Sequence, residues 1–404
     1  MKIGIIREGK VPPDFRVPLT PKQCKAIEIL YPGVEILIQK SNIRVFKDEA
    51  YAEMGLKLVD DLQACDLIFG VKEIPVDMLI PNKTYIFFSH TIKKQVHNQQ
   101  LLHSILEKKI RLIDYENIRD KSNKRLIGFG RYAGIVGCYN TFYTWGLKTG
   151  AFQLKPAHLC KDRQEVEEEL KKVILRENFK VVLTGFGRVG NGAREIMSLL
   201  PIKEISPEEY LTETYNEPVF THLDTEDYYK RKDGKEFVKQ EFYTQPELYI
   251  SNFEPYAFNS DMYMPCHFWS SKSPIILGRE TLISPHNRIQ VIGDISCDVN
   301  GPIASTLRAS KIGDPIYGFD PFQNSETDFS QEGAIAVMAI DNLPCELPKD
   351  ASEDFGNDLI KNFIPRLLGE DPDGIVEKAT QTSFAGELMP NYKYLEDYAR
   401  GLLT

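Results

Sequence analysis

Apolar residues in the first third of the chain come in short runs separated by polar stretches of helical period. Five runs read as strands: Lys2–Ile6, Val34–Gln39, Leu67–Val71, Tyr85–Ser89 and Ile110–Tyr115. Between them, Pro21–Leu30, Asp48–Met54 and Gln95–Glu107 place apolar residues on one helical face. Strands alternating with helices predict a parallel sheet covered on both faces. Residues 135–150 read as a mostly apolar helix bridging into a second unit, which opens with a charged helix at Arg163–Glu177. From about 207 to 275 the pattern breaks into acidic, aromatic, turn-rich sequence, read as an insertion. Strand signals return at Leu248–Ile250, Ile275–Leu277 and Ile289–Ile295, followed by the small-residue apolar run Ala334–Met338. The tail carries amphipathic helical patterns at Asp354–Leu368 and Tyr392–Leu403.

Composition narrows the class. A chain of 404 residues with 42% hydrophobic and 26% charged residues can bury a sizeable core in two to three domains. A net charge of −9 argues against general affinity for nucleic acid or an anionic membrane surface. The seven cysteines are scattered, with no C-x-x-C pair, which suits reduced thiols better than a disulfide framework or zinc site. No metal site is expected. MKIGIIREGK reads as a strand start and not as a signal peptide, and no run approaches the length of a membrane span. The expected compartment is the cytoplasm.

The run VVLTGFGRVGNGAREIM, Val181 to Met197, is a strand turning sharply into a helix. Gly185, Gly187 and Gly190 form G-x-G-x-x-G in that context. The first permits a tight turn, the second lets the backbone approach a pyrophosphate, and the third lets helix and strand pack closely. The helix amino terminus offers unpaired N–H groups to an anion. The cofactor is therefore NAD or NADP. An acid that bonds the ribose 2′-hydroxyl is expected about 20 residues on. The next strand signal is Ile202–Ile205, and Ser206 stands at its end, with Glu204 and Glu208 nearby. The expected fold is α/β, two Rossmann-like domains with parallel sheets facing across a cleft. Residues 1–130 plus 345–404 make a discontinuous substrate-binding domain, and 131–344 make the dinucleotide-binding domain with the insertion.

A dinucleotide does no acid–base chemistry, and four strand ends of the first unit supply it. REGKVPPDFRVPLTP carries Lys10 and Arg16, LIFGVKEIP carries Lys72 and Glu73, TYIFFSHTIKKQ carries His90, Lys93 and Gln95, and RLIDYENI carries Asp114 and Glu116. Taken singly, these match solvated strand ends, a structural histidine or salt-bridge partners. Together they bring Arg, Lys, His and Glu to the side of an open α/β sheet where ligands collect. A lysine desolvated beside other cations loses its proton more readily and acts as a base. Histidine at its usual pKa donates a proton.

These segments resemble the amino-terminal signature of the alanine dehydrogenase and transhydrogenase superfamily. Within it they are most similar to L-lysine-forming saccharopine dehydrogenase and to the lysine–ketoglutarate reductase half of the bifunctional aminoadipic semialdehyde synthase. KTYIFFSHTIKKQ, IRLIDYENI, GFGRYAG, DISCDVNGPI, AIDNLPCELPKDASEDFGNDL and LMPNYKYLEDYARGL carry the resemblance in order over nearly the whole chain. It implies reversible condensation of L-lysine with 2-oxoglutarate to saccharopine, with hydride transfer from NADH or NADPH. By motif, Lys72 matches the proton acceptor and His90 the proton donor. Arg16, Gln95, Arg125, Phe129, Ser296, Cys297 and Asp298 match substrate contacts. Lys124, Gly187, Arg188, Ile295, Ile340, Asp341, Asn342 and Leu343 match the cofactor side.

An anionic keto acid needs fixed cations such as Arg16 and Arg125, and Asp298 or Glu116 suits the α-ammonium of lysine. The implied partners are small molecules only. The fungal single-function members carry two arginines at Lys124-Arg125, which keeps the charge, and Asp at Ser206, which tilts the expectation here towards NADP. Two other readings compete: an alanine-dehydrogenase-like amino acid dehydrogenase, and a non-catalytic NAD(P)-binding regulatory protein. The DNLPCELP segment stands against the first, and the presence of both Lys72 and His90 against the second.

Overall fold

Period-two alternation divides the residues of the first sheet between two cores. The strands are β1 (Lys2–Ile5), β2 (Glu35–Gln39), β3 (Lys57–Val59), β4 (Leu67–Phe69), β5 (Thr84–Phe87) and β6 (Arg111–Asp114). All pair in parallel, in the order β3-β2-β1-β4-β5-β6. Ile3, Ile5, Ile36, Ile38, Leu67, Phe69, Ile86 and Ile113 enter one core, whereas Leu37, Ile68, Tyr85, Phe87 and Leu112 enter the other. Cys24 and Ile27 of α1 (Pro21–Leu30), with Phe355 and Leu359 of the helix Pro348–Asn362, cover the first face. Leu101 and Ile105 of a helix at Val96–Glu107 cover the second. Helix α1 starts where it does because Thr20 and Gln23 form a capping box and Pro21 sits in the first turn.

The computed structural model describes residues 1–402. It has two compact units, Met1–Phe129 with the segment from Pro348 onward, and Gly130–Leu347. In the first unit the chain runs from β1 out through β2 and β3, then returns to place β4 on the other side of β1. Connections leaving β1 and β4 therefore diverge at their carboxyl ends, the topological switch point where open α/β sheets collect ligands. The short edge strand β3 is one that alternation does not mark, since Lys57 is exposed and Leu58 and Val59 are only partly buried.

The second unit holds an eight-stranded sheet, ordered β15-β14-β16-β13-β12-β7-β9-β8. Its strands are β7 (Lys180–Thr184), β8 (Lys203–Glu204), β9 (Val219–Leu223), β12 (Met262–Pro265), β13 (Val291–Gly293), β14 (Ile316–Asp320), β15 (Ser325–Thr327) and β16 (Ile335–Met338). The two between, β10 (Tyr229–Arg231) and β11 (Tyr249–Ser251), form a separate antiparallel ribbon. The segment 207–275 is thus not simply an insertion. Both neighbours of the glycine-turn strand β7, namely β9 and β12, lie inside it. VFTHL holds Thr221 and His222 and MYMP ends on Pro265, so neither stands out as an apolar strand.

Other boundaries shift as well. The bridging helix runs over Gly130–Thr149, and the charged helix stops at Leu170. Ile275–Leu277 makes an isolated bridge to Ile303 and no strand. The tail pattern at 392–403 is broken into short turns at Pro390–Leu395 and Glu396–Ala399, and Leu403 lies outside the described residues. Among the described residues no helix is long and apolar enough to cross a membrane, and no His/Cys/Asp/Glu group is suited to hold a metal.

Candidate active site

At the switch point of the first unit, the loop after β1 reaches over the loop after β4. Glu8, in left-handed backbone conformation, accepts hydrogen bonds from the N–H groups of Val71 (2.6 Å) and Lys72 (3.2 Å). Burial first, and then the nearby Asp14 charge, push the Glu8 carboxyl up to about 8. Lys72 is held below its ordinary pKa, foremost by burial and then by the cations Arg16 and Lys10. Among the described residues no carboxylate pairs with its ammonium. The adjacent Glu73 instead accepts from Lys10 Nζ (2.8 Å) and pairs with His90 Nδ1. Those hydrogen bonds overcome burial and hold the Glu73 carboxyl far below the usual carboxylate range. His90 lies 6.3 Å from the Phe88 ring in a stacked arrangement. Lys10 and His90 are therefore linked through one anion, Glu73, which follows Lys72 in the chain.

Two arginines frame these groups. Arg16 is buried and forked onto Asp14 (Nε–Oδ1 3.0 Å, Nη2–Oδ2 2.6 Å), with its guanidinium 4.1 Å from the Phe129 ring centre. Despite burial, Arg16 lowers the Asp14 carboxyl to about 2. Phe129 in turn stacks on Phe355 at 4.3 Å. Arg125 donates to Glu116 Oε1 (2.9 Å), which also faces Lys93 at 3.5 Å. Glu116 Oε2 and Arg125 Nε are buried without hydrogen-bond partners. Asp114 beneath them is raised to about 6 by burial and by Glu116. Gln95 is exposed ahead of the helix Val96–Glu107, and Lys124 is exposed in the Asp120–Lys124 turn of this same unit.

The second unit carries the glycine turn. Gly185 has φ +98°, a conformation that L side chains rarely adopt, and a Cβ there would lie 2.7 Å from the His267 backbone. A Cβ on Gly190 would meet the Gly185 carbonyl at 1.8 Å. Gly187 differs, since nothing lies within 4 Å of where its Cβ would be. It precedes the ten-residue helix Arg188–Met197, whose first N–H groups no side chain caps. Open space at a helix amino terminus that no side chain caps, backed by two glycines whose Cβ positions are taken by backbone, fits a pyrophosphate. His222 on β9 braces the turn by bonding the Gly185 carbonyl (2.7 Å) and stacking on Phe186 at 4.0 Å. His267 bonds Thr184 Oγ1 through Nδ1 (2.8 Å), leaves Nε2 buried and unpartnered, and is kept neutral by burial, which pushes it down to about 3. A cavity of about 610 Å³ opens over the turn.

Gly185, Gly187, Arg188, Ile295, Ser296 and Asp298, all expected from sequence, line that cavity together. Ser296 Oγ and the Cys297 N–H donate to the buried Asp294 (2.7 and 3.0 Å), which also accepts from Thr306 (2.6 Å). Burial and Asp294 push the Asp298 carboxyl up to about 6. Cys297 points its thiol at the Ala339 carbonyl. Ile340, Asp341, Asn342 and Leu343 follow β16 and lie outside the cavity wall.

Ser206 is displaced from the expected place. It caps a short helix at Pro207–Thr212 in a capping box with Glu209, at the end of the edge strand β8. The strand beside β7 is β9, and the residue after it, Asp224, lines the cavity. The sequence spacing rule fails because the next strand along the chain is not the next strand in the sheet. Glu8, Asp14, Asp224, Asp294, His222 and His267 were not marked by sequence. Only Asp224 carries a signal, an apolar run ending in an acid.

Residues 4–136 match the family model described as alanine dehydrogenase/PNT, N-terminal domain. Over 97% of its length the chain is 30% identical to the alpha-aminoadipic semialdehyde synthase of Arabidopsis thaliana, covering 41% of that protein. It is 25% identical to the saccharopine dehydrogenase (NAD(+), L-lysine-forming) of Emericella nidulans, over 90% of this chain and 91% of that one. The chain thus spans less than half the length of the semialdehyde synthase it matches. A solved L-alanine dehydrogenase superposes with a TM-score of 0.62 over 100% of both chains at 15% identity, which shows a shared fold.

Proposed function

From a chain whose residues 4–136 belong to the alanine dehydrogenase/PNT N-terminal domain family, and which is a homologue of the semialdehyde synthases and saccharopine dehydrogenases, we infer an oxidoreductase acting on amino acids. We propose that it reversibly condenses L-lysine with 2-oxoglutarate to saccharopine, using NADH or NADPH. The observation that carries this reading is Lys72, a half-buried lysine beside the cations Arg16 and Lys10 and next in the chain to Glu73, which pairs with His90. Burial and the neighbouring cations favour the free amine, which suits it to take up a proton.

The first unit provides the acid–base groups and the second holds the nucleotide. Lys10, Arg16 and Arg125 set a positive field for the carboxylates of a keto diacid. Glu116 Oε2, buried and without a partner, accepts from the α-ammonium of lysine. In the direction of synthesis Lys72 takes the proton released as the lysine ε-amine adds to the keto carbon. His90, oriented by Glu73, gives the proton with which water leaves. Gly185, Gly187 and the amino terminus of the helix Arg188–Met197 hold the pyrophosphate. A bound reduced nucleotide supplies the hydride that reduces the carbon–nitrogen double bond.

The test is substrate dependence. Oxidation of NADH or NADPH should require L-lysine and 2-oxoglutarate together. Oxidation with pyruvate and ammonium, and none with that pair, would refute the proposal.

A further inference from the structure

The proposed function leaves the choice between NAD and NADP open, and the cavity over the glycine turn bears on it. Asp224 directly follows β9, the strand beside β7, and it caps a short helix at Thr225–Tyr228 by accepting from the Thr225 N–H (2.7 Å). In a dinucleotide fold an acid at this strand end faces the adenosine ribose, accepts its 2′-hydroxyl and repels a 2′-phosphate. Here the acid does not stand alone. Lys239, the first residue of a helix at Lys239–Thr244, reaches both of its oxygens, Oδ1 at 3.0 Å and Oδ2 at 2.7 Å. Both residues line the cavity that contains Gly187.

The pair is close to neutral in sum, so the repulsion that a lone carboxylate directs at a phosphate is largely cancelled. It is also half-exposed, with 34% of the Asp224 and 50% of the Lys239 side chain accessible. An exposed pair of this kind is weakly held, so either partner can turn to a ligand at small cost. Lys239 comes from the sequence between β9 and β12, and so forms no part of the strand–turn–helix signature. Resting on the dinucleotide reading, we propose that the Asp224–Lys239 pair reads the 2′ position and admits both nucleotides. Asp224 accepts the 2′-hydroxyl of NAD(H), and Lys239 pairs with the 2′-phosphate of NADP(H).

Equilibrium binding of NADH and NADPH to the full chain, followed by nucleotide fluorescence without substrates, tests this. The two dissociation constants should agree within about tenfold in the unaltered protein. Lys239→Met should raise the NADPH-to-NADH ratio of dissociation constants by at least about fivefold, and Asp224→Asn should lower it by a similar factor. Melting curves report whether each variant folds, and Lys239, being half-exposed, is the safer of the two. If both nucleotides bind but Lys239→Met moves the ratio by less than about fivefold, or the unaltered protein discriminates by more than tenfold, the pair's role is overturned while the dinucleotide reading stands. Binding of neither nucleotide removes both.

Discussion

Two glycines of one turn, exchanged for the same residue, should fail in opposite ways. At Gly190 an added Cβ would sit 1.8 Å from the Gly185 carbonyl oxygen and 3.0 Å from His222 Nε2. The first atom is backbone, and His222 pins it, so turn and helix must part by roughly an ångström. Overpacking of this kind costs about 1–3 kcal/mol, and a backbone clash belongs at the upper end. Alanine's better helix propensity returns about 1 kcal/mol. The net loss is about 2 kcal/mol, or roughly 4–8 °C in the melting temperature of a unit of this size.

At Gly187 there is open space, and φ −77° with ψ −172° is backbone that alanine adopts freely. Alanine is only a poorer helix cap, so stability should change by less than about 1 kcal/mol. Its methyl group, however, would occupy the room left for the anion, and nucleotide affinity should fall at least about tenfold, or about 1.4 kcal/mol. Calorimetric melting and nucleotide titration of Gly187→Ala and Gly190→Ala separate the two effects. Equal melting temperatures, or full affinity in Gly187→Ala, would refute the assignment of Gly187 to the ligand and Gly190 to packing.

Lys72→Met should leave the melting curve unchanged and lower turnover by roughly a hundredfold, the low end for losing a general base. The free amine is the active form, so the unaltered enzyme should gain rate as pH rises towards the depressed Lys72 pKa, and the variant should lack that limb. Glu8 has its folded pKa raised from 4.5 to about 8, so the stability it lends is full below 4.5 and is lost as pH rises through about 8. Glu8→Gln should flatten the fall in unfolding free energy between these pH values, and parallel curves would show that burial of this carboxyl is not what costs stability. Asp14→Ala removes the bidentate partner of the buried Arg16 and should cost about 3–5 kcal/mol. Denaturant unfolding of Asp14→Ala with Arg16→Met should recover part of that loss.

Where a strand is an apolar-rich run between polar segments, the chain announced its own structure. The five early strands are found within a residue or two, because each is a run rich in β-branched, leucine or aromatic residues bounded by polar segments. The segment 207–275 was opaque for the converse reason. VFTHL is interrupted by Thr221 and His222 and MYMP ends on Pro265, within acidic, turn-rich sequence, yet they flank the glycine turn on both sides. Lys72, Glu73, His90 and Glu116 could be singled out because strand ends in a parallel sheet share one edge. Glu8 and Asp14 could not, since an acid in a loop looks the same whether it faces water or clasps a backbone.

The local sequence by itself determined most elements of the first unit, the strand–turn–helix that fits a dinucleotide, and the set of cations and acids at the strand ends. These depend on near neighbours along the chain: glycine's freedom of backbone, side-chain period and the position of a residue after a strand. Only the tertiary structure decided which groups meet. It joined Lys10 to His90 through Glu73 beside Lys72, left Glu116 Oε2 without a partner, and exchanged Ser206 for Asp224 beside the glycine turn. Sheet order, unlike strand identity, is set by long-range packing, and a charge acquires its chemistry from the burial and neighbours that packing imposes.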